Sequence, residues 1–129
     1  MNVLLDTHAV LWQLGFDENK LGPGATEAMR QSGGVYVSVV SLVEMQIKTM
    51  LGKLDAPSDC QRMILEANNK ILDLTAVAAD AVRKFETLIR HDPFDRFLVA
   101  QALSEGMTLI TADKILLDLK LDYVLDARK

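Results

Sequence analysis

Val3-Leu4-Leu5-Asp6 is a short apolar run that ends in an acid. Such a run is compatible with a β-strand and is typical of a strand buried inside a parallel sheet. A helix is predicted to follow over residues 8–14 and to end at Gly15. The chain therefore opens with a buried strand, an acidic residue and a helix in direct succession.

Strand-like and helix-like segments alternate along the rest of the chain, after a polar, Gly/Pro-rich loop predicted at 16–24. Further strands are predicted at 35–40, 71–74, 107–110 and 123–125, with helices at 25–31, 42–51, 59–68, 76–90, 93–106 and 113–120. This α/β alternation predicts right-handed crossovers and a parallel sheet with helices on both faces. The length of 129 residues suits a single domain spanning residues 1–129.

Composition limits the class of protein. Half of the residues are apolar, which suits a folded core, and the single cysteine, Cys60, fits a reducing compartment. No apolar run approaches the roughly 18 residues that span a membrane, and the N-terminus lacks the basic start of a signal peptide. We therefore expect a cytoplasmic protein. The net charge of −4 argues against a purely electrostatic nucleic-acid binder, but not against a metal-dependent enzyme.

Four acids map to one edge of the predicted sheet. Asp6 closes the first strand and Glu44 lies in the first turns of the helix after the second strand. Asp95 opens a later helix and Asp113 follows the strand at 107–110. Ligands of open α/β sheets bind at the carboxyl ends of the strands, so we expect the four acids to meet in one pocket. Mg²⁺ prefers oxygen ligands, and a cation relieves the repulsion between close carboxylates; the pattern predicts a Mg²⁺ or Mn²⁺ site suited to phosphodiester cleavage.

Each acid also has a structural interpretation. Asp6 and Asp113 can cap the helices that follow them, and Asp95 stands in a first helical turn, where the dipole favours a carboxylate. Ser41 and Glu44 have the spacing of a capping box, which makes Glu44 the weakest of the four acids on spacing alone. Two other classes remain open: a phosphatase or phosphoryl-acceptor domain, and a binding module without turnover.

Four segments together resemble the PIN-domain nucleases, and most closely the toxins of VapBC-type toxin–antitoxin pairs. They are Leu4-Leu5-Asp6-Thr7-His8, Ser41-Leu42-Val43-Glu44, His91-Asp92-Pro93-Phe94-Asp95-Arg96 and Thr111-Ala112-Asp113. The stretch from 92 to 102 is the most specific. The resemblance implies a three-layer α/β/α sandwich around a parallel sheet of four or five strands, and a Mg²⁺- or Mn²⁺-dependent endoribonuclease. One departure is Val43, where this branch often has Trp; we expect it to affect packing or antitoxin docking, not the acid.

Residue roles follow from the matching positions. The resemblance assigns Asp6, Asp95 and Asp113 to the metal site. It assigns Glu44 as the fourth acid, acting through a water molecule. Thr7 and Thr111 match hydroxyl positions beside the acids. Arg96 is interpreted as a contact to the scissile phosphate or, equally, as part of a structural salt bridge.

Partners are also implied by the resemblance. Such toxins typically cut particular RNAs, often transfer RNAs, commonly form homodimers and are held inactive by an antitoxin that also binds operator DNA.

His8 and His91 could bind phosphate or metal, but His8 is expected to pack in the first helical turn and His91 to be a loop residue.

Overall fold

A parallel β-sheet forms the centre of the structure, a computed structural model that describes residues 1–16 and 18–129. The strands of this described part stand in the order β3-β2-β1-β4-β5, all parallel. Their bounds are β1 Asn2–Leu5, β2 Gly34–Ser38, β3 Lys70–Leu72, β4 Thr108–Thr111 and β5 Val124–Asp126. The predicted loop at 16–24 includes Asp17, which lies outside the described residues.

Helices follow the strands and cover the sheet. They are α1 Thr7–Leu14, α2 Pro23–Gln31, α3 Val39–Met50, α4 Cys60–Glu66, α5 Ala76–Ala81, α6 Pro93–Glu105 and α7 Lys114–Asp118, with a 3₁₀ helix Val82–Leu88 after α5. None of the helices within residues 1–16 and 18–129 is both long enough and apolar enough to cross a membrane.

Two apolar cores lie on opposite faces of the sheet, because neighbouring side chains of a strand point to opposite sides. Val3 and Leu5 of β1 belong to a core that also contains residues of α1, such as Val10. Leu4 belongs to the other core, with residues of α6 such as Leu98. All of these side chains are fully buried. The predicted α/β fold with helices on both faces of a parallel sheet is therefore confirmed.

The central position of β1 places Asp6 in the middle of the carboxyl edge of the sheet. β1 pairs with β2 on one side and with β4 on the other. The Asp6 backbone N–H donates a hydrogen bond to Ile110 O of β4 at 3.0 Å. The segments that follow β2 and β4 therefore leave the sheet on either side of Asp6.

Helix α3 begins earlier than its sequence predicts. The predicted strand at 35–40 is wrong at its end, because Ser38 caps α3: its Oγ accepts from the Val40 backbone N–H at 3.0 Å and donates to Gln101 Oε1 at 2.5 Å. The capping box predicted for Ser41 and Glu44 is also wrong, since both residues lie inside the helix. Glu44 consequently faces the site from the second turn of α3.

The predicted helix at 76–90 is interrupted. It is α-helical only to Ala81, and Phe85 in the 3₁₀ segment has non-helical angles, φ −113° and ψ 50°. Phe85 and Leu88 are buried in the core beneath this kink. Burial of these two side chains overrides the local helical preference, and the chain turns just before His91 and α6.

Candidate active site

An acidic cavity of about 300 Å³ lies at the carboxyl edge of the sheet. Its lining includes the carboxylates predicted to meet and several basic side chains: Asp6, Glu44, Asp92, Asp95, Asp113, His8, Lys48, His91 and Arg128, together with Thr7, Trp12 and Ala112. Acids from positions more than a hundred residues apart thus face one space, as the strand-end argument predicts.

Asp6 is a helix cap and a site carboxylate at once. Its Oδ1 accepts from the Ala9 backbone N–H at 2.8 Å, which caps α1, and its Oδ2 accepts from Thr111 Oγ1 at 2.5 Å. Only 3% of the residue is exposed. Burial raises the pKa of Asp6, while the hydrogen bonds from Thr111 and Ala9 oppose that rise. A nearby cation would favour the charged carboxylate.

Asp95 and Asp113 converge on one histidine. His91 Nε2 lies 3.1 Å from Asp95 Oδ2 and 3.1 Å from Asp113 Oδ2. Burial, followed by the charge of Asp113, raises the pKa of Asp95 to about 8. Burial also raises the pKa of Asp113, but the Leu116 backbone N–H, the hydrogen bond with Asp95 and the charge of His91 lower it to a greater extent. Without a cation, the pair therefore holds a proton on Asp95.

Thr111 and the helix caps fix the orientation of these acids. Thr111 Oγ1 donates to Asp6 and accepts from the Asp113 backbone N–H at 3.0 Å. Asp113 Oδ1 accepts from the Leu116 backbone N–H at 3.0 Å and so caps α7. Asp95 is the third residue of α6, which Asp92 caps through the Phe94 N–H at 2.9 Å. Both oxygens of Asp6 and one oxygen of Asp113 are thus held by neighbours on the protein.

Glu44 is held by hydrogen bonds on both of its oxygens. Thr7 Oγ1 donates to Glu44 Oε1 at 2.6 Å and lies 3.0 Å from the Ser41 hydroxyl. Lys48 Nζ donates to Glu44 Oε2 at 2.5 Å and lies 4.0 Å from Asp92 Oδ2. Burial lowers the pKa of Lys48, but the hydrogen bond and the charge of Glu44 raise that pKa by more than burial lowers it. Lys48 therefore stays positively charged. Lys48 thus supplies a fixed positive charge to an acidic cavity.

Two other positions singled out by sequence lie away from the acidic cavity. Arg96 lines a second cavity, beside the 3₁₀ segment, and within the described residues its Nε is buried without a hydrogen-bond partner. The reason is rotational: successive helical residues point about 100° apart, so Asp95 and Arg96 cannot face the same space. Arg96 therefore does not line the acidic cavity, and it forms no ion pair within the described part of the chain. Val43 is half exposed on α3, so its departure from the family pattern lies on the surface.

Lys48 and Arg128 line the cavity although the sequence analysis did not single them out; His91, considered there as a phosphate or metal ligand and expected in a loop, lines it too. Lys48 follows Glu44 by four residues within α3, a helical spacing that would have pointed to this pair, whereas His91 precedes α6 and no helical spacing applies to it. Arg128 carries no such signal. It reaches the cavity because the C-terminal segment returns beside α1, where its guanidinium lies 5.8 Å from the centre of the Trp12 ring.

Replacement of Lys48 by Met is expected to destabilise the protein by about 1–3 kcal/mol, because it leaves the buried Glu44 carboxylate without its charged partner. Glu44→Gln in the same chain should recover most of that loss, because no unpaired charge then remains. Thermal unfolding in EDTA measures both effects. Lys114→Met is the control: Lys114 and Asp118 form an exposed pair at the same spacing, 2.9 Å apart, so its loss should cost less stability than the loss of Lys48. Equal losses at Lys48 and Lys114 would contradict the prediction.

The fold and the cavity define a three-layer α/β protein with an acidic cavity at the carboxyl edge of a parallel sheet. The PIN domain family profile matches residues 3–120, and the chain belongs to that family. Comparison with curated proteins found no match.

The solved structures to which the chain is similar include chains of VapBC complexes. The chain is similar to a chain of VapBC-1 from nontypeable Haemophilus influenzae, with 18% identity, a TM-score of 0.66 and coverage of 100% of both chains. It is similar to a chain of VapBC2 from Rickettsia felis bound to a promoter DNA fragment, with 16% identity, a TM-score of 0.65 and coverage of 97% and 96%. It is also similar to a chain of VapBC-5 from Mycobacterium tuberculosis, with 20% identity, a TM-score of 0.61 and coverage of 99% and 98%.

Proposed function

We propose that this protein is a divalent-metal-dependent endoribonuclease that serves as the toxin of a toxin–antitoxin pair. The observation that carries the proposal is the convergence of Asp6, Asp95 and Asp113 on one cavity in a PIN-family fold. These acids come from three separate parts of the chain. A purely structural role explains the caps made by Asp6 and Asp113 and the place of Asp95 in a first helical turn, but it does not explain why all three face one cavity. The cavity's size and its wall of carboxylates suit a metal ion with a phosphate group.

The donor set fits Mg²⁺ or Mn²⁺. Asp95, with its pKa raised to about 8, is a carboxyl group whose ionisation the metal-free protein disfavours at neutral pH. A cation beside it lowers the free energy of its charged form. Asp95 and Asp113 would hold the ion, and Asp6 supports them from the adjoining wall. When bound, the ion supplies Lewis-acid polarisation of a phosphate oxygen and makes water a better nucleophile.

The side chains of the cavity perform supporting steps. Thr111 orients Asp6 and Asp113, and Thr7 fixes Glu44, so both threonines act as positioning residues. A carboxylate of the cavity accepts the proton of the attacking water. No nucleophilic side chain is required, and Cys60 is buried with its Sγ donating to Pro57 O.

Cations beside the acids supply a path for the substrate backbone. Lys48 and Arg128 line the acidic cavity itself. An adjoining cavity of about 200 Å³ shares Thr7, Glu44 and Lys48 with it and adds Lys53. An RNA strand whose scissile phosphate lies at the acids would place a neighbouring phosphate near Lys53, where a positive charge is favourable.

The proposed partner is an antitoxin, because the similar structures are those of toxin–antitoxin complexes. We expect a gene for a small DNA-binding protein to lie beside the gene for this chain. Induced expression of the chain alone should arrest growth, and co-expression of that small protein should relieve the arrest. A homodimer, a cytoplasmic location and a transfer RNA as target are further parts of the proposal.

Metal removal and restoration test the enzymatic part. Purified protein in EDTA should leave RNA intact, and addition of Mg²⁺ or Mn²⁺ should restore cleavage, because the carboxylates alone cannot activate water or stabilise the leaving oxygen. Single-stranded RNA with mapped ends is the substrate, and DNA of the same sequence is the control.

Two results would contradict the proposal. Cleavage that persists in EDTA would show that no metal is needed. RNA binding without cleavage under several divalent metals would favour a PIN-family binding module without turnover.

A further inference from the structure

His91 places an imidazole among the carboxylates of the acidic cavity. It comes from the loop before α6, while Asp95 lies in α6 and Asp113 follows β4. Its Nε2 is 3.1 Å from an oxygen of each acid. Among the described residues, these three side chains form the group whose ligand atoms all lie within 4.8 Å of one another. Neither Asp6 nor Glu44 belongs to that group.

The separations match those of neighbouring ligands around one ion. Ligands about 2.1 Å from an octahedral ion lie about 3 Å from one another. His91 Nε2 stands at that distance from both carboxylates, so it can occupy a coordination position next to each without rearrangement. The three side chains are between 17% and 23% exposed. Their partial exposure would leave an ion held by these three side chains accessible to water and to a phosphate oxygen from the cavity.

A hydrogen bond alone is a poorer account of this geometry. A single N–H on Nε2 can point to only one of the two acid oxygens that lie 3.1 Å from it. A divalent ion at the same place attracts both carboxylates and accepts the lone pair of the neutral imidazole. The arrangement therefore satisfies all three groups when the cation is bound.

We propose that His91 is a nitrogen ligand of the metal ion, with Asp95 and Asp113 as oxygen ligands, and that this set selects Mn²⁺ over Mg²⁺. The inference rests on the proposed metal-dependent function. Imidazole nitrogen is a favourable ligand for first-row transition ions, whose affinity rises along the series from Mn²⁺, whereas Mg²⁺ is held almost entirely by oxygen. The nitrogen thus distinguishes this site from one built of carboxylates alone.

The test is an electron spin-echo measurement on Mn²⁺ bound to the full chain. The sequence has two histidines, His8 and His91, and both line the cavity, so His8→Ala is a matched control for His91→Ala. Wild type and His8→Ala should show nitrogen modulation of the Mn²⁺ echo, and His91→Ala should lose it. In His91→Ala, Mn²⁺ affinity should fall at least about tenfold, and Mg²⁺ affinity should fall less.

Several outcomes overturn the inference. Wild-type protein without nitrogen modulation does so regardless of any variant, so the test does not depend on the folding of His91→Ala. Modulation that persists in His91→Ala or disappears in His8→Ala also does so, as does an equal loss of affinity for both metals. RNA cleavage is measured separately on the same samples. Nitrogen-coordinated Mn²⁺ without cleavage would contradict the proposed function and leave the assignment of His91 standing.

Discussion

Asp95→Asn is expected to reduce RNA cleavage at least about 10³-fold while leaving the protein folded. The substitution keeps the shape of the side chain but removes the charge that would hold the ion. A metal ion stabilises the transition state of phosphodiester cleavage by several kcal/mol, and each 1.36 kcal/mol corresponds to about tenfold in rate. Initial rates on single-stranded RNA with saturating Mn²⁺ measure the effect.

The stability of the metal-free protein provides the second measurement for Asp95→Asn, because the substitution removes a partly buried acid whose ionisation lowers stability as the pH rises. The folded-state pKa of Asp95 is about 8, well above its ordinary value of 3.8, so the folded protein binds this proton more tightly. This proton binding stabilises the folded protein fully below the ordinary pKa of 3.8, and the stabilisation is lost as the pH rises through the folded-state pKa of about 8. Asp6 is shifted in the same direction. Asp113 is shifted downward, so its contribution changes only below its ordinary value of 3.8.

Metal-free wild-type protein should therefore melt at a lower temperature as the pH rises from about 5 to about 8, and Asp95→Asn should show a smaller decline. Asp118→Asn is the control, since that carboxylate is exposed and pairs with Lys114 on α7. It should retain both wild-type cleavage and the wild-type pH dependence. Full cleavage by Asp95→Asn, or a pH dependence identical to that of wild type, would contradict the role assigned to Asp95.

Asp6→Asn is expected to reduce cleavage by about 10²–10³-fold without a loss of stability. Asn is as good an N-cap as Asp, so the hydrogen bond from the Ala9 N–H to the side chain of residue 6 is retained while the buried charge is removed. Asp6→Ala should lose the same activity and in addition about 1 kcal/mol of stability, because α1 then lacks its cap.

Comparison of the two Asp6 variants separates the catalytic role from the structural one. Cleavage rates and thermal unfolding in EDTA are measured on both. If Asp6→Asn cleaved RNA at the wild-type rate while Asp6→Ala did not, Asp6 would be a helix cap only. Thr75→Ala is a control for cap loss away from the cavity, because the Thr75 hydroxyl accepts from the Ala78 N–H at 3.1 Å at the start of α5. It should lower stability and leave cleavage unchanged.

Local patterns in the sequence were sufficient to predict the succession of strands and helices along the chain. The segment of β1 and the other strand segments are short apolar runs typical of buried strands. The turn and cap residues between them depend only on nearby positions in the sequence. The strand-end rule then placed Asp6 and Asp113 at one edge of the sheet. Where these predictions failed, at the start of α3 and at Phe85, contacts made by Ser38, Phe85 and Leu88 with distant parts of the chain overrode the local preference.

The sequence alone determined the alternating α/β architecture, the carboxyl-edge location of the acids and the resemblance to PIN-domain proteins, because these depend on local periodicity, caps and short motifs. Only the tertiary structure decided which side chains face the cavity. It placed His91 between Asp95 and Asp113, held Glu44 with Thr7 and Lys48, brought Arg128 to the rim and turned Arg96 away. Those outcomes depend on helix rotation and on the packing of segments far apart in the chain, which no local pattern records.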